Sequence, residues 1–489
     1  GAGLGAATSP SRIDPAATCV NAPADWLAAE SRRRGVDVLP PPAQQESLGA
    51  VAGYLDRTSA QCGEEIGLHL SSRVRVRARV TAVRVGSYPG GSARVVWESG
   101  VLSVAPQAPP RAVAARSTVV AHWPITLTIR PTAAWPPGLY LLRIAAVNAP
   151  TQPSFVPLRI RTNGERAPRL VISSDLTQLA YNSYGGSSLY GGAGHTHDEM
   201  AADRAYLAAA DRPLAGSGLG QVFSMEVPLA RLLDAHGLVA DWTTDSSFDL
   251  NPAQADGYAS IVLPGHSEYW TRAAYDALQR EVDRGVNLAV LGANEIYWQA
   301  RLHREAGGRL VGMTVFRDRT IDPVADRSLV TTQWREWPLS RDPAALTGAG
   351  MAGVGAFGDL TVVSTPAWVF RGMPEAIGTG LVGAIGNEAD GVELAGGHSP
   401  PNVQVILRGE VLTTDHPGKV LVTTSYYSAP GGAGVFDAGT TYWLCGALGT
   451  CPDRAVPPAT GLTLTGMTVN VLVAFATHGW GGQAPSVQP

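Results

Sequence analysis

Ile261-Val262-Leu263-Pro264-Gly265-His266-Ser267-Glu268-Tyr269-Trp270 and, one helix later, Leu288-Ala289-Val290-Leu291-Gly292-Ala293-Asn294-Glu295-Ile296-Tyr297-Trp298 form the stretch that decides the fold. Each half opens on a short apolar run of the kind a buried strand needs and ends in glycine, followed at once by polar and aromatic side chains. Arg272–Arg284 between them has helical length and is closed by Gly285. Strand, helix, strand implies a parallel pair. In open parallel sheets ligands gather beyond the carboxyl ends of the strands, so the chemistry is expected there.

The same grammar extends outward. Leu170–Ser173 and Val239–Thr243 read as strands and Pro228–His236 as an amphipathic helix stopped by Gly237, which makes a doubly wound α/β domain over residues 166–489. From Tyr181 to Gly220 the chain reads as a long Gly- and Tyr-rich loop, a length that marks function inside a compact domain. A β-rich insertion is expected at about 313–424, then Val435–Leu444 and a helix near Val469–Thr477. Upstream, the period changes to two. Arg73-Val74-Arg75-Val76-Arg77-Ala78-Arg79-Val80 alternates, placing valines inward and arginines in solvent. Ser92–Trp97, Ile125–Ile129, Leu139–Ile144 and Pro157–Ile160 add short strands, so residues 51–165 read as an immunoglobulin-like β-sandwich. Residues 1–50 are an extension with one helix near Asp25–Arg34, and 162–168 form a linker.

At 489 residues the chain is too long for one core, and 45% hydrophobic with 16% charged residues is ordinary globular composition. A net charge of −4 offers no basic face for nucleic acid, and no apolar run approaches the roughly 20 residues of a membrane span. The start at Gly1 without methionine or signal peptide reads as a processed, exported chain. Four cysteines, with Cys445 and Cys451 close in sequence and Cys19 and Cys62 as the second pair, predict two disulfides and a secreted or extracytoplasmic location. Phosphate-binding loops, dinucleotide fingerprints and a Gly-x-Ser-x-Gly elbow are absent.

Glu268 stands beside Tyr269 and Trp270, where a carboxylate must be paired, protonated or metal-bound. His266, two residues away, falls on the same side of an extended segment, and Asn294 past the next strand can donate an amide hydrogen into the same cleft. His195-Thr196-His197-Asp198 and the acidic turn Asn387-Glu388-Ala389-Asp390 are further candidates for metal, the latter for calcium.

Set in order, several segments resemble the large subunit of N,N-dimethylformamidase: Gly53-Tyr54-Leu55-Asp56-Arg57-Thr58-Ser59, Tyr88-Pro89-Gly90-Gly91, Trp135-Pro136-Pro137-Gly138-Leu139-Tyr140, Ala180-Tyr181-Asn182-Ser183-Tyr184-Gly185-Gly186 and Asp211-Arg212-Pro213. The two strand ends, Val435-Phe436-Asp437-Ala438-Gly439-Thr440 and Asn470-Val471-Leu472 continue the series over roughly 50–480. The resemblance implies a glutamine-amidotransferase-like α/β domain behind the sandwich and a mononuclear iron, Fe(III), held by two tyrosines and a glutamate. By motif these are Tyr140, Tyr181 and Glu268, with Tyr140 reaching across the domain boundary. His266 and Asn294 then line the substrate side, Glu388 matches a further acidic position, and either His266 or Glu388 moves the proton from water to the leaving amine. The implied reaction is hydrolysis of the C–N bond of a small amide.

Formamidases of this family sit in intracellular complexes with a small helical subunit, whereas this chain carries paired cysteines; homo-oligomers are also compatible with the sequence. Two other readings stand beside iron-dependent hydrolysis. One is a non-catalytic extracellular protein binding a ligand or carbohydrate on the same fold. The other is a metal-free amidotransferase-like hydrolase, against which the strand end reads Gly-His-Ser-Glu where that fold carries cysteine.

Overall fold

The computed structural model describes residues 25–147, 151–162, 164–192, 202–374 and 376–487. Strands β1 (Val51–Leu55), β2 (Ser59–Gln61), β3 (Ile66–Ser72), β4 (Val76–Tyr88), β5 (Gly91–Glu98), β6 (Ile125–Ile129), β7 (Gly138–Ala146) and β8 (Ser154–Arg161) form two sheets, β1-β3-β6 and β2-β8-β7-β4-β5. Leu68 and Leu70 of one meet Val80, Leu142 and Ile144 of the other in a closed core. The alternation expected over 73–80 holds only from Val76, where the strand starts: Ala78 and Val80 are buried, while Val74 is 66% exposed. The helix expected at Asp25–Arg34 shrinks to Trp26–Glu30.

The outer face of the larger sheet is apolar too. Val83, Val85, Leu139, Leu141 and Phe155 pack with Leu229, Leu233 and Trp242 of the second half, so a continuous core crosses the boundary. Two buried ion pairs cross with it: Arg84–Asp234 and Arg159–Glu226, each at 2.6 Å.

The second half is built on β9 (Arg169–Ser173), β10 (Asp241–Thr244), β11 (Ser260–Gly265), β12 (Asn287–Gly292), β13 (Gly350–Val362), β14 (Gly380–Gly391), β15 (Gln404–Leu412), β16 (Lys419–Ser428) and β17 (Gly434–Asp437). They form one sheet in the order β10-β9-β11-β12-β17-β16-β15-β13-β14. The first five run parallel and the rest antiparallel. The β-rich region is therefore no separate insertion; its long strands continue the main sheet. Both faces of the parallel part are covered. Leu170, Ile172, Ile261 and Leu263 face α3 (Arg272–Asp283), whereas Val171, Val262, Ala289 and Leu291 face α2 (Val227–Ala235) and α4 (Pro458–Ala474). That explains why these strands read as unbroken apolar runs. Helix α4 starts earlier than the expected 469, because its Thr- and Gly-rich first turns hide the helical pattern.

Numbered along the chain, the parallel strands stand in the order 2-1-3-4-5. The switch point lies between β9 and β11, the place where a ligand crevice opens in such sheets. Among the described residues no helix is long and apolar enough to cross a membrane. Cys445 and Cys451 form a disulfide; Cys19, and with it the expected Cys19–Cys62 pair, lies outside the described residues.

Candidate active site

The two strand-end glycines are required by close approach. Gly265 and Gly292 pair across β11 and β12, and a Cβ on Gly292 would lie 1.8 Å from the Gly265 carbonyl oxygen. Gly265 itself has φ of +75° with Met225 packed against it. Met225 belongs to a π-helical turn, Val222–Glu226, a local distortion that turns Ser224 and Met225 toward the crevice. Four non-glycine residues around the crevice have left-handed backbone: Asn294 (57°), Ile296 (55°), Arg317 (58°) and Asn387 (62°). Asparagine tolerates this conformation, but a β-branched isoleucine is strained there. It is held by full burial and by its N–H donating to Ser267 O at 2.8 Å.

The side chains these turns deliver converge tightly. Helix α1 (Asp175–Tyr181) leaves β9 and places Tyr181 as its last residue, so Tyr181 ends a helix instead of opening a loop. Its hydroxyl lies 3.3 Å from His266 Nε2. His266 Nδ1 sits 3.1 Å from Ala293 O and donates to it, which leaves Nε2 facing the cluster. From there Glu268 Oε2 is 3.3 Å away and Glu388 Oε1 3.7 Å. Tyr190 donates to Glu268 Oε2 at 2.6 Å, touches the Tyr269 hydroxyl at 2.8 Å, and lies ring against ring with Tyr181 at 4.0 Å between centroids. Behind it Arg317 stacks on the Tyr190 ring at 4.2 Å and donates to the Tyr269 hydroxyl.

Tyr190, which the motifs did not single out, stands in this cluster, whereas the structure places Tyr140 away from it. The Tyr140 hydroxyl donates to Pro136 O at 2.7 Å and its ring stacks on Trp135 inside the sandwich core. Strand parity decides this: Leu139 and Leu141 face the second half, so Tyr140 between them faces away. Tyr190 rides on a small turn fixed by Arg212, whose guanidinium donates to the carbonyls of Ala209, Tyr184, Ser187 and Leu179. Three tyrosines in one Gly-rich segment was the available signal.

Asn294 is in the cluster with a different partner from the one expected. Its Nδ2 donates to Glu388 Oε2 at 2.6 Å and its backbone N–H to Asp390. Glu388 and Asp390 do not form a turn: they lie two apart on β14 and so point to the same side, into the site. Glu295 accepts from Ser267 N at 2.7 Å and braces the His266 turn. The segment His195-Thr196-His197-Asp198 lies outside the described residues. Asp342, Glu393 and His398 also gather within 4.8 Å, but Arg335 sits 3.7 and 3.5 Å from the two carboxylates and makes this an ion-pair cluster.

Burial and charge push these groups apart. Burial would lower His266, yet the Glu388 and Glu268 charges and the Ala293 carbonyl raise it to about 10. Burial would raise Glu268, but the hydrogen bond and charge of His266, with Arg317 and Tyr190, hold it below its usual range. Glu388 is raised by burial, which His266 only partly offsets. Burial and the Glu268 charge push Tyr190 well up. Below them burial lifts Glu295 to about 8 and Asp390 to about 7. Two carboxylates driven in opposite directions around one imidazolium are the arrangement in which acid and base roles separate.

The cluster opens on a cavity of about 630 Å³ lined by Tyr181, Tyr190, His266 and Glu388, with the disulfide-closed Cys445 segment in its wall. A family model described as N,N-dimethylformamidase beta subunit-like, C-terminal, matches residues 79–453. The chain belongs to that family. At family level this is amidohydrolase chemistry on a C–N bond. No curated protein matches the chain.

Proposed function

We propose that the chain hydrolyses an amide C–N bond in this cavity, with a mononuclear ferric ion held by Tyr181, Tyr190 and Glu268. The observation that carries this reading is the convergence of oxygen ligands: Tyr190 Oη 2.6 Å from Glu268 Oε2, and Tyr181 Oη and that carboxylate each 3.3 Å from His266 Nε2. Glu268 is fully buried, and its Oε1 has no hydrogen-bond partner among the described residues. A buried carboxylate oxygen without a donor is costly, and buried phenols next to it lose their protons only where a cation offsets the charge. Tyrosinate and carboxylate are hard oxygen ligands that suit Fe(III). Tyr190 takes the position that Tyr140 was expected to fill.

When bound, such an ion polarises the amide carbonyl as a Lewis acid. The remaining work falls to the chain's own side chains. Glu388, raised by burial, accepts a proton from the attacking water, and Asn294 holds that carboxylate in place through its Nδ2. His266, kept protonated by the carboxylates at 3.3 and 3.7 Å, gives a proton to the leaving nitrogen. The same reading takes the sandwich as immunoglobulin-like and the second half as amidotransferase-like, supported by two facing sheets and the 2-1-3-4-5 strand order. It also takes the chain as extracytoplasmic, in line with the Cys445–Cys451 disulfide.

Iron quantification and visible absorption of the purified protein test the centre. Stoichiometric iron with a tyrosinate charge-transfer band is expected, lost in Tyr181→Phe, Tyr190→Phe and Glu268→Gln and kept in Tyr140→Phe. Iron retained by Tyr190→Phe and lost by Tyr140→Phe would reverse the ligand assignment. A colourless, iron-free protein without amidase activity would leave the non-catalytic binding module.

A further inference from the structure

Glu388 rides on a strand that stands far from the crevice in the order of the sheet. Four strands lie between β12, which ends at the crevice, and β14, which carries Glu388. At about 4.8 Å per strand, a flat sheet would hold the two roughly 24 Å apart. The β13–β14 ladder closes that gap by bending. Its register breaks at Met351/Gly353, Val354/Ala356 and Gly358/Leu360, and Asn387 is left-handed at φ 62°. The bent end returns to the loop after β17. There Gly386 N donates to Thr440 Oγ1 at 3.1 Å, Thr441 N to Glu388 O at 3.1 Å and Asp390 N to Gly439 O at 3.0 Å. These bonds place the main chain of β14. They do not aim the Glu388 side chain.

Asn294 does. Its Nδ2 holds Glu388 Oε2 at 2.6 Å, which leaves Oε1 3.7 Å from His266 Nε2. For that reach Asn294 keeps φ at 57°, a conformation asparagine tolerates without preferring it. Its buried N–H is taken by both oxygens of Asp390, at 2.9 and 3.1 Å. One residue thus ties two acidic side chains of β14, Asp390 through the main chain and Glu388 through the side chain. Asp390 is 2% exposed and is not among the described residues of the cavity wall, so its influence on the reaction runs through Asn294. Resting on the amidohydrolase reading, we propose that Asp390 is a positioning residue: its carboxylate locks the left-handed turn at Asn294, and that turn aims Glu388 at the attacking water.

The test is a double-variant cycle in the iron-loaded full chain, with N-methylacetamide as the probe. Asp390→Asn keeps one acceptor but turns an amide donor toward the Asn294 N–H, so the turn loosens. The expected kcat falls about 10–100-fold, the range that a misplacement of about 1 Å costs, while KM and iron content stay at the parent values. The fold is kept, because a neutral amide relieves the mutual repulsion of Asp390 with Glu388, Glu295 and Asp437. Asn294→Gly accepts the left-handed turn and lacks Nδ2, so adding Asp390→Asn to it lowers kcat by no more than about twofold. Losses that multiply in the double variant overturn the proposal and leave amide hydrolysis standing, as does a lower urea midpoint with kcat unchanged. If the probe is not hydrolysed, hydrogen–deuterium exchange of the peptide 292–298 decides. Faster exchange in Asp390→Asn, with Glu388→Gln as slow as the parent, supports the anchor although the hydrolase reading has failed. Exchange equal in Asp390→Asn and the parent overturns it.

Discussion

Replacing Arg159 by methionine tests whether the sandwich and the α/β half form one cooperative body. Arg159 on β8 is wholly buried and donates to Glu226 at 2.9 and 2.6 Å and to Gln178 Oε1 at 3.0 Å. Methionine fills similar space but leaves the Glu226 carboxylate with only neutral donors, Ser173 and Gln178. Removing one partner of a buried ion pair costs about 3–5 kcal/mol, because the other charge stays desolvated. With a denaturant slope of about 3 kcal/mol per molar urea, the unfolding midpoint falls by about 1–1.7 M. Removing both charges, in Arg159→Met with Glu226→Met, recovers most of that loss, since two apolar groups of matching shape belong in that interior. Tryptophan fluorescence reports the transition, which stays single because the core is continuous across the boundary. The site feels the change as well. Gln178 lies three residues before Tyr181 on α1, and Glu226 closes the π-turn beside the crevice, so iron retention falls with stability. A midpoint change under about 0.3 M, or a double variant as unstable as the single one, refutes this coupling.

Glu388→Gln removes the proposed base while keeping an acceptor for Asn294; kcat is expected to drop about 10²–10⁴-fold with iron unchanged, and a loss under tenfold would assign the base elsewhere. Glu295 bears on alkaline stability: its folded value of about 8 stands above an ordinary carboxyl, so the stability it contributes is complete below its unfolded value near pH 4.5 and is lost as pH rises toward 8. Glu295→Gln, compared with the parent by urea unfolding at pH 5 and pH 8, therefore gains relative stability with rising pH, by no more than about 1.4 kcal/mol for each pH step of one; a pH-independent difference would contradict it. Cys445→Ser with Cys451→Ser opens a short loop, costs about 2 kcal/mol by loop entropy, and raises KM more than it lowers kcat because Cys445 lines the cavity but is not in the proton-moving cluster; a pure kcat effect would count against this.

The crevice at the strand ends was legible because its local signals are backbone demands. Gly265 and Gly292 had to be glycine where β11 and β12 end side by side, and His266 and Glu268 had to share a side at a spacing of two. Glu388 was found by motif but misread as part of a turn, since a strand with Asn387 in left-handed conformation looks broken in sequence. The choice between Tyr140 and Tyr190 was beyond local pattern. Leu139-Tyr140-Leu141-Leu142 is apolar at every position because β7 is buried on both faces, so no alternation tells which side looks toward the second half.

By itself the sequence determined the two halves, the parallel strands with their connecting helix, and the crevice at their carboxyl ends, because periodicity and glycine placement are local consequences of backbone geometry. Only the tertiary structure decided that the β-rich region continues the main sheet, that Tyr190 and not Tyr140 stands beside Glu268, and that Asn294 serves Glu388. Those outcomes depend on strand parity and on pairings between segments far apart in the chain. Nothing in the local pattern encodes them.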